Sequence, residues 1–97
     1  MKPAARVGDQ TAHGSPLGPG PGSSRVLIGS KPAFRALVDT HTCPLSSPNP
    51  HGSGVVPTSL NQKVRVGGSL LACVGDSVAE TGGANAIVNG ASNVFVG

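Results

Sequence analysis

The chain has 97 residues, enough for one domain, and its seven Lys and Arg against four Asp and Glu give a net charge of +3. No two basic residues are adjacent and the only aromatic residues are two Phe, which argues against a nucleic-acid interface. The 15 glycines and 9 prolines leave few large side chains for a core. A domain of this kind usually needs a metal ion, a disulfide or a partner surface to stabilise it.

The N-terminal segment does not resemble a secretory signal, because Arg6 stands where the apolar region of a signal peptide should begin. No apolar stretch approaches the roughly 20 residues that span a bilayer. We therefore expect a soluble chain made in the cytoplasm, without a signal peptide. In that compartment Cys43 and Cys73 are more often metal ligands or free thiols than partners in a disulfide.

A motif that ends in Asp occurs three times, at residues 2–9 (KPAARVGD), 31–39 (KPAFRALVD) and 69–76 (SLLACVGD). A short β-branched element follows each copy, at residues 26–29 (VLIG), 64–67 (VRVG) and 94–97 (VFVG). We interpret the chain as a single domain, 1–97, of three degenerate repeats at about 1–29, 30–67 and 68–97. Three copies in one chain suggest pseudo-threefold closure.

The secondary-structure signals favour a mainly β fold. Short β-branched runs bounded by Gly, Asn and Ser predict strands at 26–29, 62–67, 86–89 and 93–96. Residues 69–74 fit either a strand or a short helix, and the Gly- and Pro-rich residues 14–24 predict a loop. No window carries an apolar stripe over three helical turns, which argues against a helical bundle.

Side chains able to bind a metal follow the motif aspartates. The residue four positions after each Asp is His13, Cys43 or Glu80. His41 lies two residues before Cys43 and would share its face in an extended chain, and His51 follows across a Pro-rich loop. Imidazole and thiolate are the ligands that structural zinc prefers, so we predict one Zn²⁺ bound by His13, His41, Cys43 and His51.

Several features of this site stay open. Cys73 could take the thiolate position, although its place three residues before Asp76 favours a buried apolar role. Asp39 or another nearby carboxylate could balance the charge of the ion. Glu80 could be a lost ligand position, a surface carboxylate or a weak fifth contact. No Gly-x-Ser-x-Gly or His-Glu-x-x-His motif occurs, so we predict no catalytic residues and no enzyme.

The sequence resembles the PAAR-repeat family, named after the tetrapeptide Pro-Ala-Ala-Arg. That tetrapeptide stands at residues 3–6, and residues 8–14 (GDQTAHG) and 26–33 (VLIGSKPA) are also typical of the family. Phe34 breaks the second copy of the tetrapeptide, and the third copy keeps only Ala72 in register with Ala5. Glu80 departs from the His or Cys that the family commonly has at its position.

The resemblance implies a small cone of short strands, with pseudo-threefold symmetry, long loops and a zinc ion near the vertex. A flat base would sit on the trimeric β-helical spike protein VgrG of a bacterial type VI secretion system, one chain per trimer. Relatives often carry toxic domains, for which 97 residues leave no room. We therefore expect a structural cap that sharpens the spike, contacts the target membrane transiently and helps to carry separate effector proteins, with neither nucleic acid nor a small-molecule substrate as partner. The chain would be assembled in the bacterial cytoplasm and then delivered outside or into the target cell.

Two other functions remain open on the sequence alone. If only His13, His41 and His51 bound the zinc, water could fill the fourth position and Glu80 could act as a base, which describes a small zinc hydrolase. The chain could also be a free-standing metal-binding protein without a spike partner.

Overall fold

Short antiparallel β-strands make up the regular structure of the computed structural model, which describes residues 2–43, 52–80 and 83–96. The eleven strands described are, in chain order, β1 Lys2–Pro3, β2 Pro19–Gly20, β3 Leu27–Ile28, β4 Lys31–Pro32, β5 Thr40–Cys43, β6 Gly52–Val55, β7 Arg65–Val66, β8 Ser69–Leu70, β9 Ser77–Glu80, β10 Gly83–Ala86 and β11 Phe95–Val96. Within these ranges no helix occurs, and hence none that is long and apolar enough to cross a membrane. The predicted mainly β fold is confirmed at this level. The radius of gyration is 12.0 Å, close to the roughly 12.5 Å of a compact chain of this length.

Three two-stranded sheets join each β-branched element to a copy of the Asp-ended motif. β3 pairs with β4 and β7 with β8, while the last strand, β11, pairs with the first, β1. The turns of the two local hairpins are Gly29–Ser30 and Gly67–Gly68, and all four residues have positive φ. Two consecutive residues with positive φ form the type I′ turn that matches the twist of a β-hairpin.

The three motif copies are hydrogen-bonded to one another through corresponding residues. Ala5 N–H donates to Ala72 O at 2.9 Å, Ala72 N–H to Phe34 O at 2.9 Å, and Phe34 N–H to Ala5 O at 3.1 Å, which closes a ring. A second set of three bonds has the same relation: Val7 N–H to Pro32 O, Ala36 N–H to Leu70 O and Val74 N–H to Pro3 O. Each copy therefore pairs with both of the others.

The buried residues form two hydrophobic clusters, and the residues of this ring belong to one of them. Ala5, Phe34 and Ala72 are all fully buried and belong to one hydrophobic cluster. One large and two small side chains fill the space where the three copies meet, which explains why Phe replaces Ala in only one tetrapeptide. A second cluster contains Ile28, Val66 and Val96 together with Leu71, Cys73 and three alanines.

A five-stranded antiparallel sheet, with strand order β10-β9-β6-β5-β2, positions the candidate site. Gly54, on the central strand β6, lies opposite His41 of β5 on one side and Glu80 of β9 on the other. A side chain at Gly54 would collide with the backbone oxygen of Ala79. The glycine therefore allows β6 and β9 to approach closely.

The structure corrects several of the strand predictions. The strand predicted at 86–89 lies earlier, at Gly83–Ala86, because it pairs with β9, while Ile87 makes only an isolated bridge to Thr11. The predicted loop at 14–24 contains β2, which extends the five-stranded sheet. Ser69–Leu70 is a strand, so the helical alternative for 69–74 is wrong. The other predicted segments, 26–29, 62–67 and 93–96, each contain a shorter strand.

Candidate metal centre

An imidazole, a thiol and a carboxylate converge beside the five-stranded sheet. His13 Nδ1 lies 3.7 Å from Cys43 Sγ and 3.4 Å from Glu80 Oε1. One ligand atom from each of the three residues lies within 4.8 Å of the other two, which is close enough for a shared metal ion. Cys43 and Glu80 are buried, and His13 is half-buried.

Strand geometry brings Cys43 and Glu80 together. Along β5, His41 and Cys43 are buried and Thr42 between them is exposed, as predicted for residues two apart in an extended chain. Along β9, Glu80 shares the buried face with Val78. Gly54 of β6 lies opposite both His41 and Glu80, so the residues of β5 and β9 flank the same position of the central strand.

A tight turn presents His13 to these two residues. Ala12 N–H donates to Ala86 O at 2.8 Å, and Gly14 N–H closes the turn onto Thr11 O at 2.9 Å. Gly14 has a φ of 83°, a backbone conformation that residues other than glycine rarely adopt. The backbone N–H of His13 itself donates to the side-chain oxygen of Asn85 at 3.0 Å.

His41 is fully buried next to this cluster. Its Nε2 lies 3.3 Å from Ser15 Oγ, 3.4 Å from Asn85 Nδ2 and 3.5 Å from Glu80 Oε2. Burial lowers the pKa of the imidazole, partly opposed by the charge of Glu80. The predicted role of His41 as a direct ligand stays a prediction.

The motif aspartates Asp9 and Asp39 pair with arginine, whereas Asp39 was considered as a carboxylate that balances the charge of the metal ion. Asp9 and Asp39 each accept the backbone N–H of the motif arginine, Arg6 or Arg35, at 2.7 Å and pair with its guanidinium. The side-chain hydrogen bond to Asp raises the pKa of both arginines further. Asp39 also accepts the backbone N–H of Gly22. The carboxylate beside the candidate ligands is therefore Glu80, not Asp39.

Cys43 is the cysteine of the cluster, and Cys73 lies elsewhere. Both cysteines are buried. Cys73 is fully buried, as predicted from its repeat position. It pairs with Ala4 of the first motif copy and lies 3.6 Å from a carboxylate oxygen of Asp76. Burial, followed by the charge of Asp76, raises the pKa of its thiol, which disfavours the thiolate that a metal requires. His51 lies outside the described residues, and its role as a ligand stays a prediction.

The donor set fits a divalent ion that accepts nitrogen, sulfur and oxygen ligands. Zinc takes all three, and a structural site completes a tetrahedron with a fourth ligand. A thiolate from Cys43 and a carboxylate from Glu80 together supply two negative charges, which would balance the ion in a site largely removed from water. The identity of the ion stays a prediction.

Sequence reasoning underestimated Glu80. The alternative of a surface carboxylate is wrong, since Glu80 is only 7% exposed. Its position four residues after Asp76, matching His13 after Asp9 and Cys43 after Asp39, was the signal that could have placed it among the ligands. Nothing in the sequence marked Ser15 or Asn85, which contact Cys43 and Thr11 in distant parts of the chain.

Comparisons with known proteins add no relatives. No family model matches the chain, and searches of curated proteins and of solved structures found no significant match. The likeness to PAAR repeats therefore depends on the motifs in the sequence.

Proposed function

We propose that this protein is a structural, metal-binding tip of the PAAR-repeat type, which caps the trimeric VgrG spike of a type VI secretion system. The observation that carries the proposal is the closed ring of hydrogen bonds among Ala5, Phe34 and Ala72, which stand at the same position of the three motif copies. A chain whose three copies bond to one another in one register can present three similar edges to a partner built of three identical chains.

The pseudo-threefold cone is part of this proposal. Two further observations support it. The second set of inter-copy bonds repeats the same register with distances of 2.8 to 2.9 Å. The pairing of β11 with β1 gives the first motif copy the same type of strand partner that the other two copies find within a hairpin.

The proposed contact face consists of the three two-stranded sheets. Leu27, Arg65 and Phe95 stand at corresponding positions on β3, β7 and β11, and all three are exposed. Leu27 is 59% and Phe95 46% exposed, so both apolar side chains are accessible to a partner. Strands of this kind could add to the sheets of a β-helical partner.

The metal ion would stiffen a narrow part of the fold, where there is little hydrophobic core. We propose that His13, Cys43 and Glu80 bind Zn²⁺. The fourth ligand would be one of the two other histidines predicted from the sequence, His41 or His51. Bound zinc would supply cross-links between residues from all three repeats. Effector carriage and delivery to a target cell belong to the same proposal.

The experiment is co-purification with the β-helical domain of each VgrG protein of the organism that makes this chain, followed by native mass spectrometry. The expected complex has one chain per VgrG trimer. A Leu27→Asp/Phe95→Asp double variant should lose the complex but keep its fold, because both side chains are exposed. Val88→Asp is the matched control, since Val88 is 53% exposed but lies outside the three two-stranded sheets. No complex with the unaltered chain, or equal binding by the double variant, would contradict the proposal.

A further inference from the structure

Asn85 is a fully buried residue of β10 whose side chain connects two of the candidate metal ligands. Its Oδ1 accepts the backbone N–H of His13 at 3.0 Å. Its Nδ2 donates to Glu80 Oε2 at 2.8 Å and to Thr11 Oγ1 at 2.9 Å. These two bonds use both hydrogens of the Asn85 amide group.

The surrounding groups fix the orientation of this amide. Thr11 Oγ1 donates its own hydrogen to Ser15 O at 2.7 Å, so it can only accept from Asn85. A flipped amide would place its oxygen against the carboxylate of Glu80 and its NH₂ against the N–H of His13, and both contacts would be repulsive.

Because of the hydrogen bond from this amide, the two carboxylate oxygens of Glu80 have different surroundings. Oε2 faces Asn85, whereas Oε1 faces His13 Nδ1 at 3.4 Å. A carboxylate with one oxygen engaged in this way offers the other to an ion. Single-oxygen ligation suits a four-coordinate ion, while larger oxygen-seeking cations such as Ca²⁺ often take both oxygens of a carboxylate.

We propose that Asn85 is a positioning residue of the metal centre, which holds Glu80 to single-oxygen ligation and fixes the backbone of His13. This inference depends on the proposed metal-binding function and adds a determinant of metal selectivity to it. Hydrogen-bonding partners of metal ligands contribute to affinity and geometry because they orient the donor atoms. Asn85 does so for ligands that come from the first and third repeats.

Asn61 provides a matched control. It is also fully buried, but within the described residues its side chain bonds to backbone groups, among them Val64 O at 2.8 Å and Leu71 O at 3.1 Å. Its oxygen accepts the N–H of Lys63 and of Val64. A substitution there removes a buried asparagine without touching the candidate ligands.

The test compares the unaltered chain with Asn85→Ala, Asn85→Asp and Asn61→Ala. Zinc affinity is measured by competition with a chelator, and coordination by the visible absorption of the Co²⁺-substituted protein. We expect Asn85→Ala to weaken zinc binding about 10- to 100-fold. The cobalt d–d bands should lose intensity as Glu80 binds through both oxygens and the coordination number rises. Asn85→Asp keeps the side-chain volume and the acceptor for His13 but loses the donor to Glu80, so it should show the same spectral change.

Asn61→Ala should lower thermal stability but leave the cobalt spectrum of the unaltered chain intact. If both Asn85 variants kept the zinc affinity and the cobalt spectrum of the unaltered chain, Asn85 would be an ordinary structural residue and the inference would fall, with the proposed metal centre still standing. If the unaltered chain bound neither ion, the metal centre and the inference would fall together.

Discussion

The motif aspartates show how one position can be stabilised in two ways. Asp9 and Asp39 are each paired with a guanidinium, from Arg6 and Arg35. In the third copy Cys73 replaces the arginine, and Asp76 instead accepts Ser59 Oγ–H at 2.6 Å and Leu60 N–H at 2.7 Å. Ser59 and Leu60, from the second repeat, therefore replace the missing cation with neutral donors, and the loss of either hydrogen bond should destabilise the buried carboxylate.

Removal of one donor tests this interpretation. We expect Ser59→Ala to lower the free energy of unfolding by about 2 kcal/mol, since a hydrogen bond to a buried carboxylate is lost and not replaced. The measurement is urea denaturation of the metal-free protein. Thr58→Ala, at the exposed neighbouring position, is the control and should change stability by less than about 0.5 kcal/mol. Equal stability of the two variants would show that the Ser59 hydroxyl contributes nothing.

The buried thiol of Cys73 predicts a specific alkaline instability. Because folding raises its pKa, the thiol keeps its proton in the native state at pH values where the unfolded chain has lost it. Stability should therefore fall as the pH rises above about 8.5, by at most about 1.4 kcal/mol for each pH unit. Denaturation of the reduced, metal-free chain between pH 7 and 10 should show this extra decline relative to Cys73→Ala. Cys43 is present in both chains and cancels, so parallel stability curves would contradict the assignment.

At the scale of elements, β6 determines whether the candidate site can form. It joins the strand that carries His41 and Cys43 to the strand that carries Glu80. Its register places Gly54 between His41 and Glu80, with no room for a side chain against the backbone of Ala79. Gly54 therefore allows β6 and β9 to pack closely. Through the spacing of β5 and β9 it also affects the positions of the candidate ligands.

Substitution of this glycine should affect stability and metal binding together. Gly54→Ala forces β6 away from β9, because the obstacle is backbone and cannot rotate aside. We expect a loss of about 3 kcal/mol of unfolding free energy and weaker zinc binding, measured by denaturation and by chelator competition. Ser53→Ala, at the exposed neighbouring position on the same strand, should change neither. A Gly54→Ala chain with unaltered zinc affinity would show that the spacing of β5 and β9 does not control the site.

The strands differ in how well the sequence could predict them. The β3–β4 and β7–β8 hairpins combine β-branched residues with Gly-containing turns, and those local signals sufficed. β5 (THTC) and β6 (GSGV) have no alternating apolar pattern, because the buried positions of β5 hold a histidine and a cysteine and β6 contains only one apolar side chain, Val55. Their pairing follows from tertiary packing. His13 and Cys43 could be predicted as members of the cluster from their positions four residues after a motif aspartate. The burial of Glu80 and the contacts of Asn85 could not be predicted, because they follow from tertiary packing.

The whole molecule has a core made of small pieces. Among the described residues there are two hydrophobic clusters of eight buried residues each, and Phe34 is the one aromatic residue in these clusters. Apolar burial of this extent offsets only part of the conformational entropy that 97 residues lose on folding. A cross-link between residues of different repeats would therefore supply a large share of the net stability, which is small in any domain of this size.

This dependence predicts how the melting temperature responds to zinc. An ion that binds only the folded chain stabilises it by about 1.4 kcal/mol for each tenfold rise in free zinc above the dissociation constant. In a domain of this size that corresponds to about 8 °C per decade. Buffered zinc titrations monitored by circular dichroism should show this slope, and a chelator should return the protein to its lowest melting temperature. His13→Ala and Cys43→Ser should each melt at that lowest temperature at every zinc concentration, because each removes a proposed ligand. A melting temperature that ignores both zinc and chelator would mean that hydrogen bonding between the motif copies and the two small clusters hold the fold without a metal.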